Sequence, residues 1–274
     1  MYGFIITTHY NNYDLINKCL TLLFENTTIE NSYYVLYVNE TTCNKVLNIK
    51  DQFKLNEVIY IDDQIKNKGL TGTWNQGINL CIENNCDVIT LLGHDTYVNK
   101  DIIYLLEAGK KANDNKELKY FGPLFKNYPG KDDELWQDEI YYKCTHNKNF
   151  LIGSILTLPI YTLKKNILPN NKYFNEKYTF GYNDIEYYLR LKSINGSGVI
   201  IDKCIIDHKY KRTWLNANLV DKYKKDNNLY VAIKDIFDWK KYIILNPDLI
   251  KYNNEILATK HYLTIGKFQN RRIN

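Results

Sequence analysis

Asp95 and Asp184 are the residues whose surroundings point most directly to chemistry. Asp95 lies in LLGHDTYV (91–98), just past a continuous apolar run. Asp184 lies in YFNEKYTFGYNDIEYYLRL (173–191), after a Gly-containing turn and at the mouth of a helical pattern. An acid at a strand end can offer oxygen ligands to a hard divalent cation. An acid held at a helix start can take a proton from an incoming hydroxyl. Each acid also has a plainer reading, Asp95 as a turn acid and Asp184 as a helix N-cap. Glu186 follows two residues after Asp184 and points elsewhere on the helix, and Arg190 at i+4 most simply pairs with it. His208, in CIIDHKYKRTW, could supply a nitrogen ligand to such a cation, which would favour Mn²⁺, or could be an unremarkable interior or loop histidine.

The elements that must position these residues alternate. Residues 3–8, 33–38, 57–61 and 87–92 read as strands. Asn11 or Asn12 can cap a helix in which Leu15, Cys19, Leu22 and Leu23 recur at helical spacing, and residues 46–53, 71–83 and 101–112 also read as helices. Such alternation implies a parallel sheet with helices on both faces, and continuous apolar strands agree because they are covered twice. Open sheets of this kind bind ligands at the carboxyl ends of their strands. Residues 8–11, 39–41, 62–68 and 93–96 lie at those ends, so four loops are expected to build one site. In the second half, 120–123 and 152–159 read as strands and 184–193 as a helix. Residues 198–202 and 204–206 read as two short strands. The charged and aromatic stretch 126–148 reads as a mobile loop over the site.

Composition narrows the classes. The chain of 274 residues is 45% apolar, enough for one large domain with a small appendage. A net charge of +5, spread along the chain, permits an anionic ligand but falls short of a nucleic-acid footprint. The six cysteines form no CxxC pair and most sit in apolar segments, so buried free thiols in a reducing compartment are expected. The first residues lack the basic and apolar regions of a signal peptide, and no stretch of ~20 apolar residues spans a bilayer. The expectation is a cytoplasmic protein, in the host cytoplasm if viral, or one held peripherally at a membrane. Heavy use of Lys, Asn, Ile and Tyr fits an AT-rich genome.

Five segments in order resemble family 2 glycosyltransferases of the GT-A fold, especially their rhamnosyltransferase-like branch. They are IITTHYNNYDLINKCL (5–20), NKGLTGTWNQGI (67–78), LLGHDTYV, FNEKYTFGYNDIEYYLRL and CIIDHKYKRTW (204–214), and the likeness covers residues 3–214. It implies a GT-A nucleotide-diphospho-sugar transferase fold, with a Rossmann-like, mostly parallel sheet and helices on both faces. It further implies an inverting, metal-dependent transfer of a sugar, rhamnose as a first guess, from a UDP-, dTDP- or GDP-linked donor to a glycan or glycoconjugate hydroxyl. In that frame Asp184 is the base, and Asp95 with His208 holds Mn²⁺ or Mg²⁺. Thr8, Tyr10, Asn11, Asn39, Glu40, Asn67, Gly69, His94, Lys211 and Arg212 are the donor-side candidates. Trp136, Tyr182 and Glu186 are the acceptor-side candidates. Three positions depart from the family pattern: Gly93 replaces the first acid of its DxD triplet, Asn183 a Glu before the catalytic Asp, and Asn39 an Asp that reads the base.

Two boundaries and one rival complete the expectation. Residues 1–214 form the catalytic domain, and the Lys/Asn-rich residues 215–274 form a small helical C-terminal extension, broken at 246–247 and at 266. The stretch IITTHYNNYD (5–14) has neither the Gly nor the Arg that nucleotidyltransferases use to grip a triphosphate. A decayed glycan- or nucleotide-sugar-binding protein is the alternative that Gly93 and Asn183 keep open.

Overall fold

The computed structural model describes residues 1–9, 13–27, 30–39, 48–61, 69–125, 135–138, 142–145, 154–179, 181, 183–208, 239–252 and 258. The first half alternates as its sequence pattern requires: β1 (Tyr2–His9), α1 (Tyr13–Asn26), β2 (Ser32–Asn39), α2 (Ile49–Phe53), β3 (Glu57–Ile61), α3 (Gly69–Glu83) and β4 (Val88–Gly93). Then come the two-residue β5 (Thr96–Tyr97), α4 (Ile102–Asp114) and β6 (Lys119–Phe125). They are followed by β7 (Leu135–Asp138), β8 (Tyr142–Thr145), β9 (Ile155–Pro159), α5 (Ile160–Lys165), α6 (Asn183–Ser193), β10 (Ser197–His208) and α7 (Trp239–Leu245).

Eight strands form one sheet in the order β3-β2-β1-β4-β9-β6-β10-β5. The pairs β3/β2, β2/β1, β1/β4 and β6/β10 are parallel. β9 runs antiparallel to β4 and β6, and β5 antiparallel to β10. A fully apolar run carries no mark of strand direction, which is why the reversal at β9 was not visible in the residues alone.

The sheet is covered on both faces. On one lie the buried stripe of α1 (Ile16, Cys19, Leu20, Leu23) and the apolar side of α4 (Ile102, Leu105, Leu106). The stripe on α1 is turned slightly from the expected one, since Leu15 and Leu22 are only half-buried. On the other lie Trp74, Ile78 and Cys81 of α3 with Tyr187, Tyr188 and Leu191 of α6. Each fully buried large apolar side chain contributes roughly 1.5–3 kcal/mol relative to exposure. α3 ends in a Schellman cap: Cys86 N–H bonds the Cys81 carbonyl at 2.9 Å and Asn85 N–H the Ile82 carbonyl at 3.0 Å, with Asn85 at φ 58°.

Three expectations change. Residues 197–208 form one strand, not two, because a register shift between Ile201 and Ile205 absorbs the polar interruption at Asp202 and Lys203. The stretch expected as an open loop contains an antiparallel pair, Leu135–Asp138 with Tyr142–Thr145, where β-favouring Leu, Trp and Tyr outweigh the surrounding charge. The helix expected from residue 46 begins at Ile49 among the described residues. The break at 246–247 is present. Asn246 bonds back to the Tyr242 carbonyl through its side chain at 2.8 Å, and a 3-10 turn starts at Pro247. Of the cysteines, Cys19, Cys81, Cys86 and Cys204 are free and buried.

α3 crosses interior strand β1 closely. A Cβ at Gly77 would lie 2.7 Å from Ile5 Cγ2, and Ile5 is fully buried. Gly77→Ala gains about 1 kcal/mol of helix propensity but overpacks a core that cannot yield, costing about 1–3 kcal/mol. Net destabilisation is expected in urea unfolding. Stability equal to or above that of the unaltered chain would show that α3 has room to move off β1.

Candidate active site

Asp95 sits in the turn between β4 and β5, and three strands fix that turn. Gly93 pairs in register with Thr7 of β1, and its N–H bonds the Ser154 carbonyl at 2.9 Å. The N–H of His94 bonds the Thr7 carbonyl at 3.0 Å, and the hydroxyl of Thr96 donates to Ser154 O at 3.2 Å. His94 is 3% exposed, and its Nδ1 lies 3.3 Å from the same Thr7 carbonyl. A carbonyl only accepts, so Nδ1 carries the proton. Burial lowers the imidazole pKa below its ordinary range, with the Asp95 charge and the Thr7 bond opposing. A neutral ring results beside the Asp95 turn, and among the described residues its buried Nε2 has no hydrogen-bond partner. Gly93 leaves room over the turn, since a Cβ there would stand 3.1 Å from Asp95 Oδ1.

His208 reaches the same turn through the backbone. It is the last residue of β10 and pairs in register with Thr96, next to Asp95, while Asp207 pairs with Tyr97. The antiparallel ladder therefore brings the backbone of His208 beside the residue that follows Asp95. Among the described residues no group of three His, Cys, Asp or Glu side chains converges to hold a metal. A hard cation held by the Asp95 carboxylate would take further oxygens from a diphosphate.

Asp184 stands in the first turn of α6, on the α3 face of the sheet. Its N–H is accepted by Asn183 Oδ1 at 2.9 Å, and its own Oδ1 accepts the N–H of Ile185 at 2.9 Å. The segment leading to it is fastened to α3. Asn75, 1% exposed, uses its whole amide on residues 173–176. Nδ2 donates to Phe174 O at 2.9 Å and Glu176 Oε1 at 3.2 Å, while Oδ1 accepts Tyr173 N–H at 3.0 Å and Phe174 N–H at 2.8 Å. Thr71 donates to the Tyr178 carbonyl and accepts from Asn183 Nδ2 at 2.9 Å. Gly69 opens α3 at φ 67°, a conformation that favours glycine, against the Thr179 carbonyl.

Glu186 is buried with Arg190. The guanidinium Nε lies 3.1 Å from Oε1 and Nη2 3.4 Å from Oε2, and Nη2 also donates to the Tyr173 carbonyl. The expected i,i+4 pair is present, and it grips the segment before Asp184 from the other side. Thr8 is buried near the end of β1, opposite Val38. Asn39 ends β2 opposite His9, and Trp136 lies in β7 opposite Cys144. The side chains of Asn39, Trp136 and His208 lie outside the described set, as do residues Tyr10, Asn11, Glu40, Asn67, Tyr182, Lys211 and Arg212.

The structure thus gathers Thr8, His94, Asp95 and the His208 backbone around the ends of β1, β4 and β10. It sets Gly69 and Asp184 together where α3 begins. α3 follows β3 and leads into β4, which is parallel to β3 through β2 and β1, so that helix start also lies at the carboxyl edge of the sheet. Residues 71, 75 and 183 do more than sequence reading suggested. A buried Thr or Asn within a helical pattern was the available signal, but their partners lie 98 to 112 positions away.

No family model matches the sequence, and no curated protein is similar to it in sequence. Solved structures are similar in fold. S. aureus TarS superimposes with a TM-score of 0.59 at 16% identity, covering 99% of this chain and 43% of that one, so the chain spans less than half of its length. TarS 1-349 in complex with UDP-GlcNAc gives 0.59 at 14% identity, covering 97% and 74%. The mannosyltransferase PcManGT from Pyrobaculum calidifontis, in complex with GDP-Man and Mn²⁺, gives 0.52 at 9% identity, covering 78% and 59%. The fold is the GT-A type, with a mixed, mostly parallel eight-stranded sheet between helices. Among the described residues no helix is long and apolar enough to cross a membrane.

Removing the Asn75 amide strands buried backbone groups of residues 173 and 174. Each unpaired group costs roughly 1–3 kcal/mol, so Asn75→Ala is expected to destabilise the chain by about 3 kcal/mol in urea unfolding. A loss below about 1 kcal/mol, the usual worth of a surface polar contact, would show that the amide does not hold this segment.

Proposed function

We propose that the chain is a glycosyltransferase that moves a sugar from a nucleoside-diphosphate donor to a hydroxyl of a glycan or glycoconjugate, inverting the anomeric centre. The observation that carries this reading is the placement of Asp95 and Asp184 at the carboxyl edge of a GT-A sheet. The donor complexes of TarS 1-349 and PcManGT support a nucleotide-sugar ligand. UDP-, dTDP- and GDP-linked sugars are the donors to test, and rhamnose rests on the family resemblance alone.

In this reading Asp184 accepts the proton of the acceptor hydroxyl as that oxygen attacks C1. The C1–O bond to the diphosphate breaks on the opposite face, which is what inverts the centre. The dipole of α6 favours the Asp184 anion, so catalysis comes mainly from where the carboxylate is held. Asp95 and His208 would hold a divalent cation, Mn²⁺ or Mg²⁺, whose charge offsets that of the leaving diphosphate. Thr8, Tyr10, Asn11, Asn39, Glu40, Asn67 and Gly69 form the nucleotide side, with His94 under the diphosphate turn and Lys211 and Arg212 closing over it. Trp136 and Tyr182 offer flat surfaces to the acceptor sugar, and Glu186 shapes that side through Arg190. Residues 1–214 are the catalytic unit and 215–274 an extension to it.

Gly93 favours a second reading, a donor-binding protein without turnover, because it leaves one carboxylate in the triplet. Thermal-shift screening of UDP-, dTDP- and GDP-sugars with and without Mn²⁺, followed by transfer and hydrolysis assays, decides between them. Transfer that falls at least ~100-fold in Asp184→Asn and in Asp95→Ala supports the enzyme. Stabilisation by a donor without any turnover supports the binder.

The space over residue 93 yields a separate expectation. Gly93→Ala crowds Asp95 Oδ1 and should raise the Mn²⁺ concentration needed for half-maximal donor binding several-fold, read by calorimetric titration. Unchanged metal dependence would remove Asp95 from the cation site.

A further inference from the structure

We infer that Thr71 is the positioning residue for Asp184, acting through Asn183. This deepens the reading above and rests on it. The hydroxyl of Thr71 touches two partners that are both nearly or fully buried. It must donate to the Tyr178 carbonyl, because a carbonyl can only accept. Its lone pairs are then left for Asn183, so the amide atom facing it must be the Nδ2 donor, at 2.9 Å. That choice turns Asn183 Oδ1 the other way, onto the N–H of Asp184 at 2.9 Å. The direction of every bond in the relay follows from one carbonyl.

Both members of the relay are sealed from water, Thr71 at 0% and Asn183 at 2% exposure. Buried polar chains of this kind are rigid when fully satisfied and costly when one member is lost. The surroundings reinforce the same contact. The N–H of Thr71 faces the Thr179 carbonyl at 3.5 Å, and Gly69, two residues earlier, lets the chain pass against that carbonyl. Residues 178 and 183 therefore close on a single hydroxyl of α3, and Asp184 is the next residue in line.

The relay also gives a physical reason for the amide at 183. An acid there has no hydrogen to give Thr71. The hydroxyl would have to turn toward it and abandon Tyr178, and a second anion would stand beside Asp184. An amide supplies a donor on one side and an acceptor on the other without charge. The Asn183 departure from the family pattern is in this sense a different way of supporting the same acid.

The test uses Thr71→Val, which keeps shape and removes the hydroxyl, and Thr71→Ser, which keeps the hydroxyl. Transfer kinetics are measured for both, and for Thr71→Val combined with Asp184→Asn, with thermal unfolding of each. A displaced base is expected to cost ~10–100-fold in kcat in Thr71→Val while donor KM changes less than ~3-fold. Thr71→Ser should recover most of that loss, and Thr71→Val should cost nothing further in the Asp184→Asn background. Asn183→Asp should reproduce the kcat loss, and it keeps the inference testable if Thr71→Val does not fold. Wild-type kcat in folded Thr71→Val, failure of Thr71→Ser to rescue, or an additive loss in the double variant would overturn the inference and leave the enzyme reading standing. If the unaltered chain transfers no sugar from any donor, both fall together.

Discussion

The candidate site depends on a polar contact inside an otherwise apolar interface. α3 packs on the sheet through Trp74, Ile78 and Cys81, while Thr71 and Asn75 on the same helix hold residues 173–183. Among the described residues, those from 166 to 181 lie in no helix or strand, so their backbone groups have no ladder to satisfy them. Buried backbone that lacks partners is costly. The solution here is to lend it side chains: Asn75 to residues 173 and 174, Arg190 to Tyr173, and Thr71 to Tyr178. Apolar packing alone would hold α3 near this segment but would not set its register, because apolar contacts are non-directional.

Much of the first half was legible because its signals are local. Continuous apolar strands and helical spacing arise from neighbours in sequence, and β1 to β4 with α1 and α3 appear where those signals stand. The direction of β9, the bulge in β10 and the pairing of β7 with β8 were not legible. Each is decided by what lies alongside in the sheet, which a single strand does not encode. Site residues divide in the same way. Asp95 and Asp184 stand out by their flanks. Thr71 reads as a helix residue of unremarkable type and Asn75 as one member of a resembling segment, and only their distant partners show that they hold residues 173–183. Glu186 and Arg190 were legible as a pair but not as a buried one, since spacing says nothing of depth.

Gly93 and Asn183 also change meaning once the surroundings are known. Read against a family pattern they are losses of charge. In the folded chain the first leaves space beside the Asp95 carboxylate and the second completes a hydrogen-bond relay with a fixed direction. Substitution of a charged group by a neutral one can preserve a site when the neutral group meets the same hydrogen-bonding demand.

The ladder between β5 and β10 has a bearing on how the site comes into being. β5 is two residues long, and so short a strand has no stability of its own. Its partner is the far end of β10, which emerges during synthesis only after the rest of the sheet. Until residue 208 arrives, the loop bearing Asp95 lacks the strand that closes it from that side. Assembly of this part of the candidate site is then among the last events of folding, and a chain interrupted before that point would carry nearly the whole sheet without it.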